Sequence, residues 1–539
     1  MAASRLGKEY DDAVLELEYL VGLKTRPFRH DSEGVKEEEE KSSEDDFVAL
    51  LRALDVLSEQ ESKIPSVAPP SSADSVAAAF AEFTTWLAER GVAGVGDKLE
   101  FGVGLGEAGN GLVTTEDLRA GDPFVFIHQR HMMREETAKS CPVLGPFASD
   151  DKVVSAFPDL LMALHLLQEA TDGPSSPWAP YLAILPATFN TPLFWSVRDV
   201  RALASAVSPA LDEAYKIVVN AVKQYVYLAP RLAAFTIAHN RFSWKNLAWA
   251  LSVVATRKNL IPKESSKLTR SKKDLALTQS TPTEIALVPV WDMCNHDGSD
   301  PDTAEITTFY NVAVCGMEGM AMRDFAAGES VSIFYGPRSS EALLLHSGFV
   351  PEYTNAWDTY RVQLNIKALP GRQPLDETDP VQKLVPIILY QAKIANECTF
   401  FLNNQMLDDN ILMFFRIGCI DNMDDMSRRD KPLAGSPTSV ANDIDAHKCY
   451  ADLVASLLES KPSIARNNPA AYLENNARNI HIARLVLGEI HLLQKNLVLV
   501  EQVIERLETK RARNAAKNAA KRRKKKQQKQ QQQQEQTTE

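Results

Sequence analysis

Two short patterns in the sequence consist of residues that often bind phosphate groups or metal ions. Gly104, Gly106 and Gly109 form a GxGxxG pattern, which binds a dinucleotide pyrophosphate only when it lies between a strand and a helix. The residues that follow, GLVTTEDLRAG, predict a strand and a turn instead of a helix. His128 and His131 form an HxxH pair without a suitably spaced third ligand, which argues against a metal site. Neither pattern therefore predicts a function.

A third pattern is spread over two segments and is more informative. The first, LVPVWDMCNHDGS (287–299), is a hydrophobic strand that ends in Asn295 and His296. About forty residues later, AGESVSIFYGPRSSEALLLHSGF (327–349) contains a strand that ends at Tyr335. Alone, an Asn-His pair at a strand end is typical of a turn with a hydrogen-bonded histidine. The combination indicates a site that is built where two strands end.

These two segments resemble the SET-domain protein methyltransferases, in which an Asn-His pair binds S-adenosylmethionine and the catalytic tyrosine ends a strand. The upstream segment EAGNGLVTTEDLRAGDPF (107–124) is similar to the first cofactor-binding strand pair of that family. The resemblance implies an α+β fold with small β-sheets, a knot-like C-terminal segment, a helical insertion and an all-α C-terminal substrate-binding domain. It also implies S-adenosyl-L-methionine as co-substrate and no metal.

Other stretches are similar to a narrower group. The helical insertion and the helical C-terminal region resemble the Rubisco large-subunit methyltransferase subgroup, which lacks a cysteine-rich zinc cluster. The six cysteines are far apart and form no CxxC, in agreement with that subgroup. Within it, the actin-histidine methyltransferases are similar at SCPVLGPF (140–147), PWAPYLAILPATFNTPLFW (177–195) and WALSVVATRKNLIP (249–262). This implies actin as the protein substrate and an imidazole nitrogen as the methyl acceptor.

The resemblance also implies roles for individual residues. Tyr335 would be catalytic. The substrate-binding residues would be Asn259, Trp291, Ile333 and Arg338. Asn259 would hold the non-reacting imidazole nitrogen, at a position where lysine-specific relatives carry an aromatic residue. The cofactor pocket would comprise Ala108, Gly109, Asn110, Arg257, Asp292, Met293, Cys294, Asn295, His296, Ser347 and Phe349. The sequence departs from the family near Val76, where relatives carry an arginine, and at Asn110, where they carry a larger apolar residue.

Hydropathy patterns predict the elements that position these residues. Residues 99–133 have the alternation of short strands, 153–169 and 243–257 have helical periodicity, and strands return after a polar, lysine-rich loop at 261–284. We predict four regions: an N-terminal helical and acidic linker region (1–75), a SET domain (76–365) with a helical insertion at about 140–282, a helical substrate-binding domain (366–509), and a disordered, basic, glutamine-rich tail (510–539). Folded structure should begin near Val76.

The charge of the chain is unevenly distributed. It has 59 Lys and Arg against 71 Asp and Glu, a net charge of −12. Eleven of the basic residues lie between Lys510 and Lys529, without an acidic residue among them, so the rest carries −23 (−12 minus +11). Nine acids and two lysines lie between Asp31 and Asp46, and such blocks are usually solvated. The low-complexity tail has no aromatic residue for base stacking, so we expect weak nucleic-acid contacts at most.

Three alternatives remain open: a lysine methyltransferase on the same fold, a non-catalytic SET-derived binding scaffold, and nucleic-acid binding through the tail. The sequence has no apolar run of membrane-spanning length and no signal-peptide core at its start. We therefore expect no membrane partner and a cytoplasmic location, with the nucleus as a second location. We also expect the protein to be a monomer.

Overall fold

The computed structural model describes residues 7–24, 43–106, 109–232, 241–263, 282–299, 308–312, 314–352 and 354–536. The chain divides into two compact units. Unit 1 comprises Met1–Ala204 and Ala210–Asn355, and unit 2 comprises Ser205–Pro209 and Ala356–Glu539. The division at residue 355 lies ten residues before the predicted end of the SET domain. Among the described helices, none combines the length and the apolar character that crossing a bilayer requires.

Twelve α-helices of the described residues begin before residue 356. They are α1 (Lys8–Leu20), α2 (Ser43–Gln60), α3 (Ala73–Glu89), α4 (Glu135–Ser140), α5 (Leu144–Asp150), α6 (Lys152–Ala156), α7 (Pro158–Asp172), α8 (Ala179–Ala183), α9 (Val197–Ser205), α10 (Ala210–Leu232), α11 (Trp244–Arg257) and α12 (Ser340–Ser347). Local sequence explains where some of these helices begin and end. The Ser243 side chain caps the start of α11 by accepting from the backbone N–H of Asn246. Gly348, with φ of 80°, ends α12 in the left-handed conformation.

The strands of unit 1 form three small sheets. They are β1 (Leu99–Gly102), β2 (Gly111–Thr114), β3 (Pro123–His128), β4 (Met133–Arg134), β5 (Lys258–Pro262), β6 (Thr283–Leu287), β7 (Asn295–His296), β8 (Thr308–Asn311), β9 (Gly316–Met320) and β10 (Ser330–Ile333). The sheet orders are β1-β2-β10-β7, β3-β9-β8 and β4-β6-β5. Strands from before and after the long helical stretch thus pair with one another.

The helices from α4 to α11 form an insertion into the β4-β6-β5 sheet. Met133 in β4 and Lys258 in β5 both pair with Leu287 of β6, one from each side. The chain therefore leaves this sheet after β4 and returns to it at β5. The predicted insertion at about 140–282 begins a few residues later than the observed helices. Most of the predicted lysine-rich loop lies outside the described residues.

The N-terminal region is more ordered than the sequence predicted. We expected folded structure to begin near Val76, but α1 and α2 precede it and belong to unit 1. Phe47, Leu50, Leu54 and Leu57 of α2 are buried, and their spacing is that of one helix face. Glu44, Asp45 and Asp46 lie in its first turn, where negative charge is favourable beside free backbone N–H groups. These acids therefore begin a packed helix, and residues 31–42 lie outside the described part.

Unit 2 is mainly helical. Its α-helices are α13 (Val385–Gln391), α14 (Asp409–Gly418), α15 (Met423–Met426), α16 (Asp430–Leu433), α17 (Val440–Ser460), α18 (Ser463–Asn467), α19 (Pro469–Asn475) and α20 (Ile480–Gln536). It differs from the all-α expectation in one antiparallel strand pair, β11 (Thr359–Asn365) with β12 (Glu397–Asn403). Tyr360, Val362 and Leu364 are buried while the residues between them are more exposed, which is the alternation of a strand.

Helix α20 packs one apolar face on the core of unit 2 and continues beyond it. Leu493 and Val500 are fully buried, and Leu497 and Ile504 pack against the same core. From residue 508 to residue 528 all side chains are exposed. The sequence predicted disorder from 510, whereas the structure has helix to Gln536. Alanine, lysine, arginine and glutamine all have high helix propensity, so this composition is compatible with helix without a core.

Candidate active site

The parallel pairing of β7 with β10 brings the two informative segments together. Asn295 pairs with Ser332, and His296 pairs with Ile333, so Tyr335 follows two residues after the paired strand. The backbone N–H of Tyr335 donates to His296 Nδ1 at 3.2 Å. The Tyr335 hydroxyl donates to the carbonyl oxygen of Cys294 at 2.8 Å. Tyr335 is thus fixed at its backbone and at its hydroxyl to the Asn-His segment.

Aromatic packing completes this arrangement. The ring centroids of His296 and Tyr335 are 5.0 Å apart, and Phe349 lies 5.8 Å from His296 and 6.2 Å from Tyr335. Burial raises the pKa of the Tyr335 hydroxyl, with further raising by Cys294. The hydroxyl therefore stays protonated at neutral pH. Phe349 is placed here because Gly348 ends α12 immediately before it.

The His296 imidazole should remain neutral at pH values well below the usual pKa of histidine. Burial, followed by the positive charge of Arg338, lowers its pKa to about 4, although Asp297 and the backbone of Ile333 act in the opposite direction. Its Nδ1 accepts a hydrogen bond, so the neutral ring carries its proton on Nε2. We expect NMR titration of ¹³C-labelled histidines to show one imidazole that protonates near pH 4. His296→Asn should remove that resonance; a midpoint near 6.5 would contradict the burial.

A buried charged group supports the segment before Asn295. Arg257 Nη1 donates to the carbonyl oxygen of Asp292 at 2.7 Å and lies 3.7 Å from its Oδ1. The hydroxyl of Tyr181, a fully buried residue, donates to Asp292 Oδ2. Burial raises the pKa of Asp292 to about 6, and Arg257 and Tyr181 limit the rise. Arg257 thereby links the end of α11 to this segment.

The segment begins with a strained residue. Val290 has φ of 73° and is fully buried, a conformation that is costly for a β-branched side chain. It directs the short 3₁₀ turn Trp291–Met293. Trp291 itself is buried and stacks on Phe124 with ring centroids 6.2 Å apart. Its predicted substrate-binding role stays a prediction, since its observed contact is a packing contact.

Four buried polar atoms of the predicted cofactor-pocket residues have no hydrogen-bond partner within the described ranges. They are Arg257 Nε, Asp292 Oδ1, Asn295 Nδ2 and Ser347 Oγ. Unpaired buried polar groups are costly, and native structures contain few of them. Gly111 lies directly against Asn295, since a Cβ at Gly111 would be 2.5 Å from Asn295 Nδ2. The unpaired Asn295 amide beside a glycine fits a polar ligand such as the nucleoside of a cofactor.

The glycine loop lies between antiparallel strands. Gly104, Gly106 and Gly109 all have positive φ, and they connect β1 to β2. The dinucleotide-binding interpretation is thereby excluded, as the sequence indicated. Asn110 Oδ1 accepts from the backbone N–H of Gly104 at 3.3 Å, so this departure from the family shapes the loop. Ala108 lies outside the described residues.

The other predicted site residues are distributed as follows. Ile333 is buried in β10, and Arg338 is exposed. Met293 and Cys294 are almost fully buried, and Met293 Sδ lies 3.3 Å from Arg257 Nη1. Asn259 lies in β5, and its Nδ2 donates to the carbonyl oxygen of Arg257 at 3.1 Å. The structure therefore connects Asn259, through Arg257, to the segment that contains Asn295.

Tyr181 is a residue of this site that no sequence motif predicted. It lies in the stretch 177–195 that resembles the actin-histidine methyltransferases, but an isolated tyrosine in a helical pattern gives no motif signal. The variant Tyr181→Phe removes the hydroxyl that donates to the buried Asp292 carboxyl, and the loss of this hydrogen bond should cost about 1–3 kcal/mol. We expect KM for the cofactor to rise about tenfold while kcat changes less.

Tyr225→Phe is the control, because it removes another buried tyrosine hydroxyl, which bonds to Tyr10 and Glu61. If KM for the cofactor were the same in the two variants, Tyr181 would have no positioning role.

A cavity of about 460 Å³ in unit 1 is lined by none of the predicted site residues. Its lining includes Leu51, Leu54, Asp55, Phe194, Trp195, Trp244, Lys245 and Trp249.

Among the described residues, no group of three or more His, Cys, Asp or Glu side chains could hold a metal ion. His128 instead caps the next turn by accepting from the backbone N–H of Arg130.

Comparison with solved structures identifies the fold. The SET domain of LSMT bound to lysine and AdoHcy superposes with a TM-score of 0.59 and 19% identity, over 80% of this chain and 93% of that one. Rubisco LSMT bound to AdoMet gives a TM-score of 0.57 and 20% identity over the same shares. No family model matches the chain. The fold is that of the SET-domain methyltransferases, as the motifs predicted.

Sequence comparison narrows the resemblance. The chain is 31% identical over 349 residues to the actin-histidine N-methyltransferase of Canis lupus familiaris, which covers 63% of this chain and 53% of that protein. The human protein of that name gives 31% identity over 63% and 52%, and that of Rhinolophus ferrumequinum gives 29% over 77% and 67%. The predicted similarity to actin-histidine methyltransferases is confirmed. Apart from the Rhinolophus protein, the chain spans about half the length of these relatives.

Proposed function

We propose that the protein is an S-adenosylmethionine-dependent protein-histidine N-methyltransferase that acts on actin. The observation that carries the proposal is the Tyr335 hydroxyl bonded to the Cys294 carbonyl, directly before an Asn295 amide that is buried without a partner among the described residues. This combines a fixed tyrosine with an adjacent polar group that is available to a ligand. The similarity to proteins named actin-histidine N-methyltransferase supports the substrate.

The chain's own residues fit the co-substrate. S-Adenosylmethionine, when bound, supplies a methyl group on a sulfonium sulfur. Arg257 Nε, Asn295 Nδ2 and Ser347 Oγ are buried donors without a partner among the described residues, and the loop at Gly109 and Asn110 offers backbone groups directly before β2. Arg257 holds the Asp292 carbonyl and so fixes the segment that presents Asn295. These residues bind and orient, which is the main requirement of an in-line displacement.

Tyr335 contributes position and a neutral oxygen. Its raised pKa keeps the hydroxyl protonated, and its single proton is donated to the Cys294 carbonyl. The oxygen lone pairs are therefore free to accept weak C–H···O contacts from a methyl group that carries partial positive charge. A charged phenolate at this point would be a competing nucleophile, and burial prevents it.

A histidine acceptor needs orientation more than deprotonation. Imidazole, with an ordinary pKa near 6.5, is mostly neutral at pH 7, whereas lysine near 10.4 is not. Asn259 Nδ2 donates to the carbonyl oxygen of Arg257, whereas Asn259 Oδ1 forms no hydrogen bond among the described residues. That oxygen can accept the N–H of the target imidazole, so the other nitrogen presents its lone pair. After transfer the ring releases its N–H proton to water.

The direct test is methylation of purified actin with methyl-labelled S-adenosylmethionine, followed by acid hydrolysis and amino-acid analysis. We expect methyl-histidine from the unaltered protein and none from Tyr335→Phe at the same time point. Methyl-lysine without methyl-histidine would establish the lysine alternative. Absence of both products, together with no heat of S-adenosylmethionine binding, would favour a non-catalytic scaffold.

Asn259→Phe tests the choice of acceptor. The phenyl ring cannot accept the imidazole N–H, so histidine methylation should fall about tenfold to a hundredfold, in line with loss of one buried hydrogen bond. Lysine-containing peptides should be tested in parallel. The matched control is Leu260→Phe, which adds the same ring at the next position of β5, where the side chain is 61% exposed. Unchanged histidine turnover in Asn259→Phe would remove Asn259 from the mechanism.

Location, oligomeric state and tail contacts belong to the same proposal. Actin as substrate favours the cytoplasm, and the cluster of eleven basic residues in Lys510–Lys529 favours the nucleus as a second location. We propose a monomer that makes only weak, salt-sensitive nucleic-acid contacts through this segment.

A further inference from the structure

Two cysteines of unit 2 lie in contact inside its core. Cys419 directly follows α14, and Cys449 lies within α17. Their Sγ atoms are 3.6 Å apart, and each residue is 2% exposed. Both are free thiols. The pair is independent of the methyltransferase site, and the proposed function makes no use of it.

The hydrogen bond between the two thiols makes them unequal, and nearby charged groups act on both. The hydrogen bond with Cys419 lowers the pKa of the Cys449 thiol, burial opposes this, and the Arg372 guanidinium lowers it further. The same hydrogen bond raises the pKa of Cys419, and burial adds to the rise. Asp445 acts on both thiols and Asp452 on Cys449 in the opposite sense to Arg372. Cys449 is thus the thiol whose pKa is lowered, and either sulfur can be the S–H donor of the hydrogen bond between the two.

An ion pair connects this site to the surface. Arg372 Nη2 contacts both carboxylate oxygens of Asp421, at 2.6 and 2.5 Å, and the Arg372 side chain is 24% exposed. Arg372 thus interacts with both thiols while part of it is in contact with solvent.

We propose that Cys419 and Cys449 form a peroxide-sensitive dithiol that closes to a disulfide between the end of α14 and α17. In the first step the Cys449 sulfur attacks hydrogen peroxide, an S–O bond forms, the O–O bond breaks, and the leaving hydroxide takes up the thiol proton as water. The Cys419 sulfur then attacks the sulfenic sulfur, an S–S bond forms, and a second water leaves. Two thiols are oxidised and one peroxide is reduced.

The geometry allows closure with little movement. A disulfide is about 2.05 Å long, so the sulfurs must approach by about 1.5 Å, a distance that side-chain rotation can supply. The new bond would close the chain from Cys419 to Cys449, which includes α15 and α16. Such a cross-link reduces the freedom of the unfolded chain. We expect the midpoint of thermal unfolding to rise by roughly 5–10 °C on oxidation.

The test treats the full-length protein with hydrogen peroxide under native conditions and maps peptides without reduction. The expected product is a Cys419–Cys449 linked peptide that has lost two hydrogen atoms and is restored by dithiothreitol. Arg372→Gln should slow its formation about tenfold, while Cys398→Ser, a change at a more exposed thiol, should leave it unchanged. Phenylarsine oxide, which binds paired thiols, should protect both cysteines from later alkylation.

Three results would overturn the proposal. In the first, both thiols stay reduced at a peroxide concentration that oxidises Cys398. In the second, Cys449 accumulates as sulfinic acid without cross-linked peptide. In the third, the cross-link forms only after denaturation. Because these results are read on the unaltered protein, they do not depend on whether Cys419→Ser or Cys449→Ser folds.

Discussion

Replacing Tyr335 with phenylalanine should lower kcat by about 10²- to 10³-fold, the size of effect seen when one preorganised polar group is removed from an active site. The phenyl ring keeps the packing against His296 and Phe349. Only the hydroxyl and its bond to the Cys294 carbonyl are lost. Cofactor binding, which relies on other groups, should change by no more than about threefold. Steady-state methylation of actin and calorimetric titration with S-adenosylmethionine measure the two quantities separately.

Tyr450→Phe is the matched control for this variant. Tyr450 is also buried, and its hydroxyl donates to Asn496 Oδ1 at 2.9 Å within unit 2. Its loss should lower the free energy of unfolding by about 1–2 kcal/mol and leave kcat near that of the unaltered protein. A similar fall in kcat in both variants, or a Tyr335→Phe enzyme within threefold of the unaltered one, would exclude a catalytic role for the Tyr335 hydroxyl.

The second large effect is expected at the cofactor pocket, from Gly111→Ala. The added Cβ would lie 2.5 Å from Asn295 Nδ2 and 3.2 Å from Leu105 Cδ1, so the Asn295 amide must move. The backbone pairing of β2 does not require a glycine, since φ at Gly111 is not positive. We therefore expect a folded protein whose Kd for S-adenosylmethionine is raised about tenfold to a hundredfold.

A double-mutant cycle shows whether the effect passes through Asn295. Asn295→Ala alone should raise the Kd to a similar extent, and the double variant should bind no more weakly than Asn295→Ala, because the displaced group is already absent. Gly488→Ala in α20 is the control, where a Cβ would meet only Asp358 at 3.5 Å and alanine favours helix. Additive losses in the double variant would mean that Gly111 acts on the pocket through another residue.

Much of the fold follows from local pattern. Helical periodicity predicted helices at 153–169 and 243–257, and the structure has α6, α7 and α11 there. Pro158 divides the first of these stretches, because proline is accommodated in the first turn of a helix and not in its interior. The strands on both sides of the insertion were also predicted. What local pattern missed was α2, whose acidic start resembled a solvated linker, and the strand pair β11 and β12.

At the candidate site, too, local pattern predicted some residues and missed others. The order of an Asn-His pair and then a tyrosine at a strand end, together with the family resemblance, predicted a site at Asn295, His296 and Tyr335, and the structure brings these residues together. Nothing in the spacing of residues indicated that Tyr181 bonds Asp292, because the two are 111 positions apart and neither belongs to a motif. Trp291 stacks on Phe124, and the substrate-binding role that the resemblance implied for it stays a prediction.

The sequence by itself determined the fold class and most of the helices and strands, and it pointed to the class of chemistry and to the candidate site residues, because residue type, periodicity and turn composition act over a few positions along the chain. Only the tertiary structure decided the parallel register of β7 with β10, the unpaired amide of Asn295 against Gly111, and the contact between Cys419 and Cys449. These depend on how distant segments are buried together. Burial also lowers the pKa of His296 and raises that of Asp292, so the charge states at the site are properties of the fold.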